Sequence, residues 1–168
     1  MAQRYKKEIS EEIPEVDAIL GTTSYGEIVK AVKEAQAGRH FEEYKSIDYL
    51  PDISGKRMLT TGGHFAYLKI AEGCDKHCTY CIIPKLRGSY RSVPMEELVK
   101  EASSLAQQGV KELILVAQET TVYGKDLYGK KSLHILLKEL CKIKGIRWIR
   151  ILYCYPEEIY DELIQTMK

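Results

Sequence analysis

What most constrains the fold of this chain is a threefold alternation of strand-like and helix-like apolar patterns between Ala66 and Met167. Ala66 to Ala71 reads as a strand. Pro94 then opens a helix in which Met95, Leu98, Val99, Ala102, Leu105 and Ala106 make one stripe ending at Gly109. Glu112 to Ala117 is almost wholly apolar, the pattern of a strand covered on both faces. Ser132 to Lys144 reads as a second helix, with Ser132 as N-cap, Leu133, Leu136, Leu137 and Leu140 as its buried stripe, and Gly145 as its stop. Ile146 to Tyr153 is a third strand and Glu157 to Met167 a third helix. This order predicts an α/β fold of parallel strands joined by right-handed crossovers. In barrels of that type the loops leaving the strands carry the active site.

The N-terminal part reads differently. Pro14 to Leu20 is a short strand stopped at Gly21, and Tyr25 to Ala37 places Ile28, Val32 and Ala35 at helical spacing before Gly38. The pattern turns polar and irregular from Arg39 to Gly63, with Pro51, Gly55 and the Gly62-Gly63 pair. Three segments are therefore expected: 1–50 as the tail of an α/β domain, 51–63 as a linker, and 64–168 as the first part of a second domain. The 25 Lys and Arg nearly balance 24 Asp and Glu, so a formal charge of +1 gives no signature of a polyanion binder, and nucleic acid is not indicated. No apolar run approaches the roughly 20 residues needed to cross a bilayer. A soluble, cytoplasmic protein is expected.

Three of the five cysteines, Cys74, Cys78 and Cys81, lie in Gly73-Cys74-Asp75-Lys76-His77-Cys78-Thr79-Tyr80-Cys81-Ile82-Ile83-Pro84, the loop after the first strand of the alternation. Three thiolates can hold three irons of a cubane cluster and leave the fourth iron open for substrate chemistry. Zinc completed by His77 or a distant ligand is a competing reading, although zinc sites more often show paired Cys-x-x-Cys units. The same spacing would put three cysteines on one face of a helix as packed, apolar-like side chains. Asp75, Lys76, His77, Thr79, Gly73 and Pro84 give the segment loop composition instead. Of the other cysteines, Cys141 falls on the stripe of the second helix and is expected in the core, and Cys154 ends the third strand.

Cys-x-x-x-Cys-x-x-Cys with Tyr80 before the last cysteine resembles the signature of radical S-adenosylmethionine enzymes. The resemblance implies a 4Fe-4S cluster on Cys74, Cys78 and Cys81, with S-adenosylmethionine chelating the open iron. One electron would then cleave the cofactor to a radical that abstracts hydrogen. It also implies a partial radical-enzyme barrel, with Tyr80 near the adenine. Gln118, Glu119 and Thr120 end the second strand on the active-site side, where contact with the cofactor and a structural loop role are equal readings. Arg87 and Arg91 carry the guanidinium suited to bidentate carboxylate recognition, of cofactor or of a substrate aspartate, with a solvated basic loop as the alternative.

Ala66 to Cys74, Ile82-Ile83-Pro84 and Arg87-Gly88 resemble more closely the methylthiotransferases, which insert sulfur and a methyl group at an unactivated carbon. Ala117 to Gly129 and Tyr153-Cys154-Tyr155-Pro156 resemble the branch acting on an aspartate of ribosomal protein S-twelve. The resemblance implies methylthiolation of the aspartate β-carbon, with the ribosomal protein as substrate and a flavodoxin- or ferredoxin-like reductant. The family commonly shows Ser-Arg-Pro where this chain reads Ser92-Val93-Pro94. Relatives also carry three earlier cysteines for an auxiliary cluster, whereas no cysteine precedes Cys74, so an internal fragment, incomplete for turnover, is expected. The alternatives are the same chemistry on a tRNA adenosine and a catalytically silent metal-binding or interaction module.

Overall fold

The computed structural model describes residues 2–50, 57–60 and 62–168. Of the expected linker, residues 51–56 and 61 lie outside the described residues. The chain divides into two compact units, Met1–Asp52 with Asp75–Ser89, and Ile53–Cys74 with Tyr90–Lys168.

The first unit begins with α1 (Lys6–Glu12), a polar helix with no buried residue. Strand β1 (Ala18–Leu20) and strand β2 (Phe41–Glu43) pair in parallel, with Ala18 opposite Phe41 and Leu20 opposite Glu43, and α2 (Ile28–Gln36) connects them. A 3₁₀ turn, Tyr25–Glu27, leads into α2, so the expected helix at Tyr25 starts with a tighter turn. Strand β2 lies where the sequence reads as irregular. Its Phe-Glu-Glu composition gives no alternation, and the strand exists through its ladder to β1. The buried Ser24 hydroxyl accepts the Lys45 N–H at 2.9 Å, and Lys45 pairs with Glu27 at 2.8 Å, fastening the segment after β2 to the start of the helical turn. The short helix α3 (Ile83–Arg87) belongs to the same unit and has Pro84 in its first turn.

The second unit contains the predicted alternation. Strands β3 (Phe65–Lys69), β6 (Glu112–Val116) and β7 (Trp148–Ile151) form a parallel sheet in the order β3-β6-β7. Two short strands, β4 (Ala71–Glu72) and β5 (Arg91–Ser92), pair antiparallel between β3 and the first long helix. The central strand β6 buries Leu113, Ile114 and Leu115 in succession, as expected for a strand covered on both faces. Strand β3 alternates, burying Ala66 and Leu68 while Tyr67 is exposed. Strand β7 bounds the sheet, and its Trp148, the one tryptophan of the sequence, is 64% exposed.

Helix α4 (Met95–Gln107) buries Leu98, Ala102 and Leu105, with Glu96 and Glu97 placed in the first turn where the helix dipole favours them. Helix α6 (Leu133–Cys141) buries Leu133, Leu136, Leu137 and Leu140. Ser132 precedes this helix as expected but does not cap it with its side chain: the hydroxyl donates to the Lys130 carbonyl at 3.0 Å. Cys141 is exposed rather than in the core, because the helix ends there and the stripe has run past the packed surface. Helix α5 (Lys125–Tyr128) is a single turn in the loop after β6, and α7 (Asp161–Met167) follows a 3₁₀ turn at Pro156–Glu158. No helix among the described residues is long and apolar enough to cross a membrane.

Candidate functional site

Because β3, β6 and β7 run in parallel, the segments that leave them emerge at one end of the sheet. Glu72, two residues before Cys74, is 2% exposed. A carboxylate removed from water needs donors to hold its charge. Lys69 supplies an ammonium, Gln118 donates its side-chain amide N–H at 3.0 Å, and the Gly73 backbone N–H approaches at 3.3 Å. The chain then turns at Gly73, whose φ of 80° favours glycine, and delivers Cys74. Gln118 is the first polar side chain beyond β6, so its bond to Glu72 ties the end of β6 to the approach to Cys74 across 46 residues of sequence.

The loop after β6 is built from buried polar groups. Glu119 accepts the Thr121 N–H at 3.1 Å and the Tyr155 N–H at 3.4 Å, and the Thr121 hydroxyl donates to the same carboxylate oxygen. Asp126 receives the Ser92 N–H at 2.7 Å and the Ser92 hydroxyl at 2.6 Å, locking the loop onto β5. The buried Tyr123 and Tyr90 hydroxyls donate to the carbonyls of Val93 and Glu119, each at 2.8 Å. Burial pushes both phenols well above their usual range, so they stay protonated donors. Val93 itself is core, 2% exposed.

Beyond β7, Tyr153 has φ 59° and is the one non-glycine residue with positive φ among the described residues. Its ring is exposed, as is that of Tyr155. Cys154 lines a cleft with Leu137, Cys141, Ile146 and Trp148.

The sequence-predicted residues are distributed as follows. Cys78 and Cys81 share a turn in which the Cys81 N–H donates to the Cys78 carbonyl at 2.9 Å. All five cysteines are free thiols; Cys78 is exposed, while Cys74 and Cys81 are partly covered. Among the described residues no group of three or more His, Cys, Asp and Glu side chains stands gathered to hold a metal ion, the loop cysteines included. Tyr80 projects from the loop with 91% of its surface exposed. Arg87 is the last residue of α3, and Arg91 is the strand partner of Glu72 in the β4–β5 ladder. Gln118 is the residue joined to the approach of Cys74, through Glu72. Glu72 lies within the Ala66–Cys74 stretch of the resemblance but is not singled out there as a site residue, since a lone glutamate in sequence reads as surface.

The family model of the radical SAM superfamily matches residues 68–168, which takes in the cysteine loop and the β6 and β7 loops. The chain belongs to the radical SAM superfamily. A 4Fe-4S cluster and S-adenosylmethionine are the cofactors that go with this membership.

Within the superfamily the chain is 64% identical, over its whole length, to the ribosomal protein uS12 methylthiotransferase RimO of Lachnoclostridium phytofermentans. It is 56% identical over 99% of its length to the protein of the same name in Clostridium botulinum, and 52% identical over its whole length to that of Clostridioides difficile. It spans 38% of the length of each of these relatives. Among solved structures it is similar to the radical S-adenosylmethionine methyltransferase TsrM of Kitasatospora setae, with TM-score 0.48 and 20% identity over 62% of this chain and 20% of that one.

Proposed function

We propose that this chain is the cluster- and cofactor-binding part of a methylthiotransferase that modifies the β-carbon of an aspartate in ribosomal protein S-twelve. The observation that carries the reading is the 64% identity, over all 168 residues, to a relative named for that activity. On this reading residues 1–50 end a preceding methylthiotransferase domain, 51–63 link, and 64–168 begin the radical enzyme core. The protein acts in the cytoplasm, with a flavodoxin- or ferredoxin-like reductant.

The donor set suits the cofactors. Cys74, Cys78 and Cys81 are three free, soft thiols in a segment without regular structure, the ligand type that iron–sulfur clusters take. The side-chain oxygen of Gln118 is buried and, among the described residues, has no hydrogen-bond partner, so it accepts from a bound group. Tyr80, exposed beside Cys81, offers a ring face to the adenine. Arg87 and Arg91 supply guanidinium groups for a carboxylate of cofactor or substrate. Cluster and S-adenosylmethionine together would supply one-electron chemistry at an unreactive C–H bond. The chain's own work is to fix the approach to Cys74 against the end of β6 and hold donors and acceptors in place before substrate arrives.

The test is an electron paramagnetic resonance spectrum of the anaerobically reconstituted, reduced protein with and without S-adenosylmethionine, followed by mass analysis of ribosomal protein S-twelve and of tRNA after turnover by the full-length protein. A cubane signal that shifts with the cofactor, and methylthiolated aspartate, are expected. Bound zinc, a signal indifferent to the cofactor, or modified tRNA adenosine in place of the protein product would overturn the reading.

A further inference from the structure

We infer that Glu72 is a positioning residue that fixes the polarity of Gln118, so that the site presents a hydrogen-bond acceptor, not a donor, to the bound cofactor. The inference rests on the proposed function for the identity of that cofactor.

A glutamine amide can turn over and exchange its oxygen and nitrogen ends at little steric expense, so an isolated Gln118 would offer either end. Its neighbour removes that freedom. Both oxygens of Glu72 already receive donors: Lys69 pairs with one, while the Gly73 N–H and the Gln118 amide reach the other. A carboxylate so held only accepts, so the end of Gln118 lying 3.0 Å away is its nitrogen. The oxygen must then face the other way, and there it is buried with no partner among the described residues. A buried acceptor left unsatisfied is unfavourable, and a donor group on S-adenosylmethionine would satisfy it. With its carboxylate met by Lys69, Gly73 and Gln118, Glu72 is assigned an indirect part. It acts through Gln118, and the antiparallel β4–β5 ladder, in which Glu72 faces Arg91, holds its backbone in place.

The experiment compares three forms of the full-length, cluster-reconstituted protein: wild type, Glu72→Gln, and the exchange variant Glu72→Gln/Gln118→Glu. For each, the iron content, the dissociation constant of S-adenosylmethionine and its effect on the resonance signal are read. In Glu72→Gln the Lys69 ammonium takes the carbonyl oxygen of position 72, which turns its NH₂ toward Gln118 and favours the inverted amide; with the competent orientation held in about a third to a tenth of molecules, affinity should fall about three- to tenfold with iron content unchanged. The exchange variant restores a donor at 72 facing an acceptor at 118, whose second oxygen still accepts, and should recover wild-type affinity. A general packing role would not be rescued by the exchange. Affinity of Glu72→Gln within about twofold of wild type, or failure of the exchange to restore it, would overturn the inference alone. A wild-type cluster that ignores the cofactor would overturn the proposed function and this inference with it.

Discussion

The hydroxyl of Thr120 donates to the carbonyl of Leu152 at 2.7 Å, and the Thr120 backbone N–H reaches the carbonyl of Tyr153 at 3.1 Å. The loop after β6 thus grips the loop after β7 at the point where the backbone enters its left-handed conformation. Thr120 is fully buried, so Thr120→Val keeps the shape and orphans the Leu152 carbonyl. A loss of about 1–3 kcal/mol in denaturant unfolding is expected. A midpoint equal to wild type would show that the grip contributes nothing.

Tyr153 offers a sharper test of the backbone. Its ring is 65% exposed, so truncation removes little burial, and the residue keeps φ 59° whatever side chain it bears. Glycine accepts that φ freely, whereas an L side chain is disfavoured there by roughly 1–2 kcal/mol. Tyr153→Gly should therefore be more stable than Tyr153→Ala, by about 1 kcal/mol, reversing the usual preference for alanine. The reverse order in paired melting curves would contradict the left-handed assignment.

Gly124 and Gly129 flank α5 with φ 82° and 70°. A Cβ at Gly124 would stand 2.7 Å from the Ser132 Cβ, while one at Gly129 would meet nothing within 4 Å. Both alanine variants bear the same backbone penalty, and only the first must also displace the start of α6. Gly124→Ala should be the more destabilised by about 1–3 kcal/mol. Equal melting temperatures would rule out that contact.

The Tyr160 hydroxyl accepts the His134 backbone N–H at 3.3 Å and shares a hydrogen bond of 3.0 Å with the ring nitrogen Nδ1 of the same residue. Burial, with the nearby Lys138 adding to it, lowers the His134 pKa below its ordinary 6.5. The unfolded chain then binds a proton at a pH where the folded one does not. The contribution of His134 is complete above 6.5 and is lost as pH falls through the lower folded value. The stability advantage of wild type over His134→Asn should shrink from pH 7 to pH 5, and a constant gap would remove the titration from the account.

The cysteines separate cleanly by prediction. Alanine at Cys74, Cys78 or Cys81 should abolish cluster assembly, since two thiolates hold a cubane poorly. Cys141→Ala and Cys154→Ala should keep full iron and sulfide. Analysis of both elements per chain decides it, and a full complement in Cys78→Ala would remove the loop from consideration as the ligand set.

The three parallel strands and their helices were legible because each has its own apolar period: Leu113 to Leu115 in succession, Leu133, Leu136, Leu137 and Leu140 at helical spacing. Elements stabilised by something other than an apolar face were not. Helix α1 buries nothing, β2 carries two glutamates in three residues, and β4 and β5 have two residues each, too few for a period to exist. Helix α3 reads as loop because Pro84 looks like a breaker, although proline is well suited to a first turn. Cys141 reads as core because it lies one turn after the buried Leu137, yet it is the last residue of α6 and is exposed. The cysteine spacing and Gln118 were legible as candidates. Glu72 was not, because its partners Gln118 and Lys69 acquire meaning only once the sheet brings position 118 beside position 72.

Trp148 stands on the bounding strand of the sheet with most of its indole in water. The molecule therefore carries a built-in optical probe on one edge of the β3-β6-β7 sheet, where another β-strand could add itself. Any protein segment that zips onto β7 would dehydrate the ring and move its emission to shorter wavelength, giving a label-free titration of strand addition in which no second tryptophan of this chain contributes background.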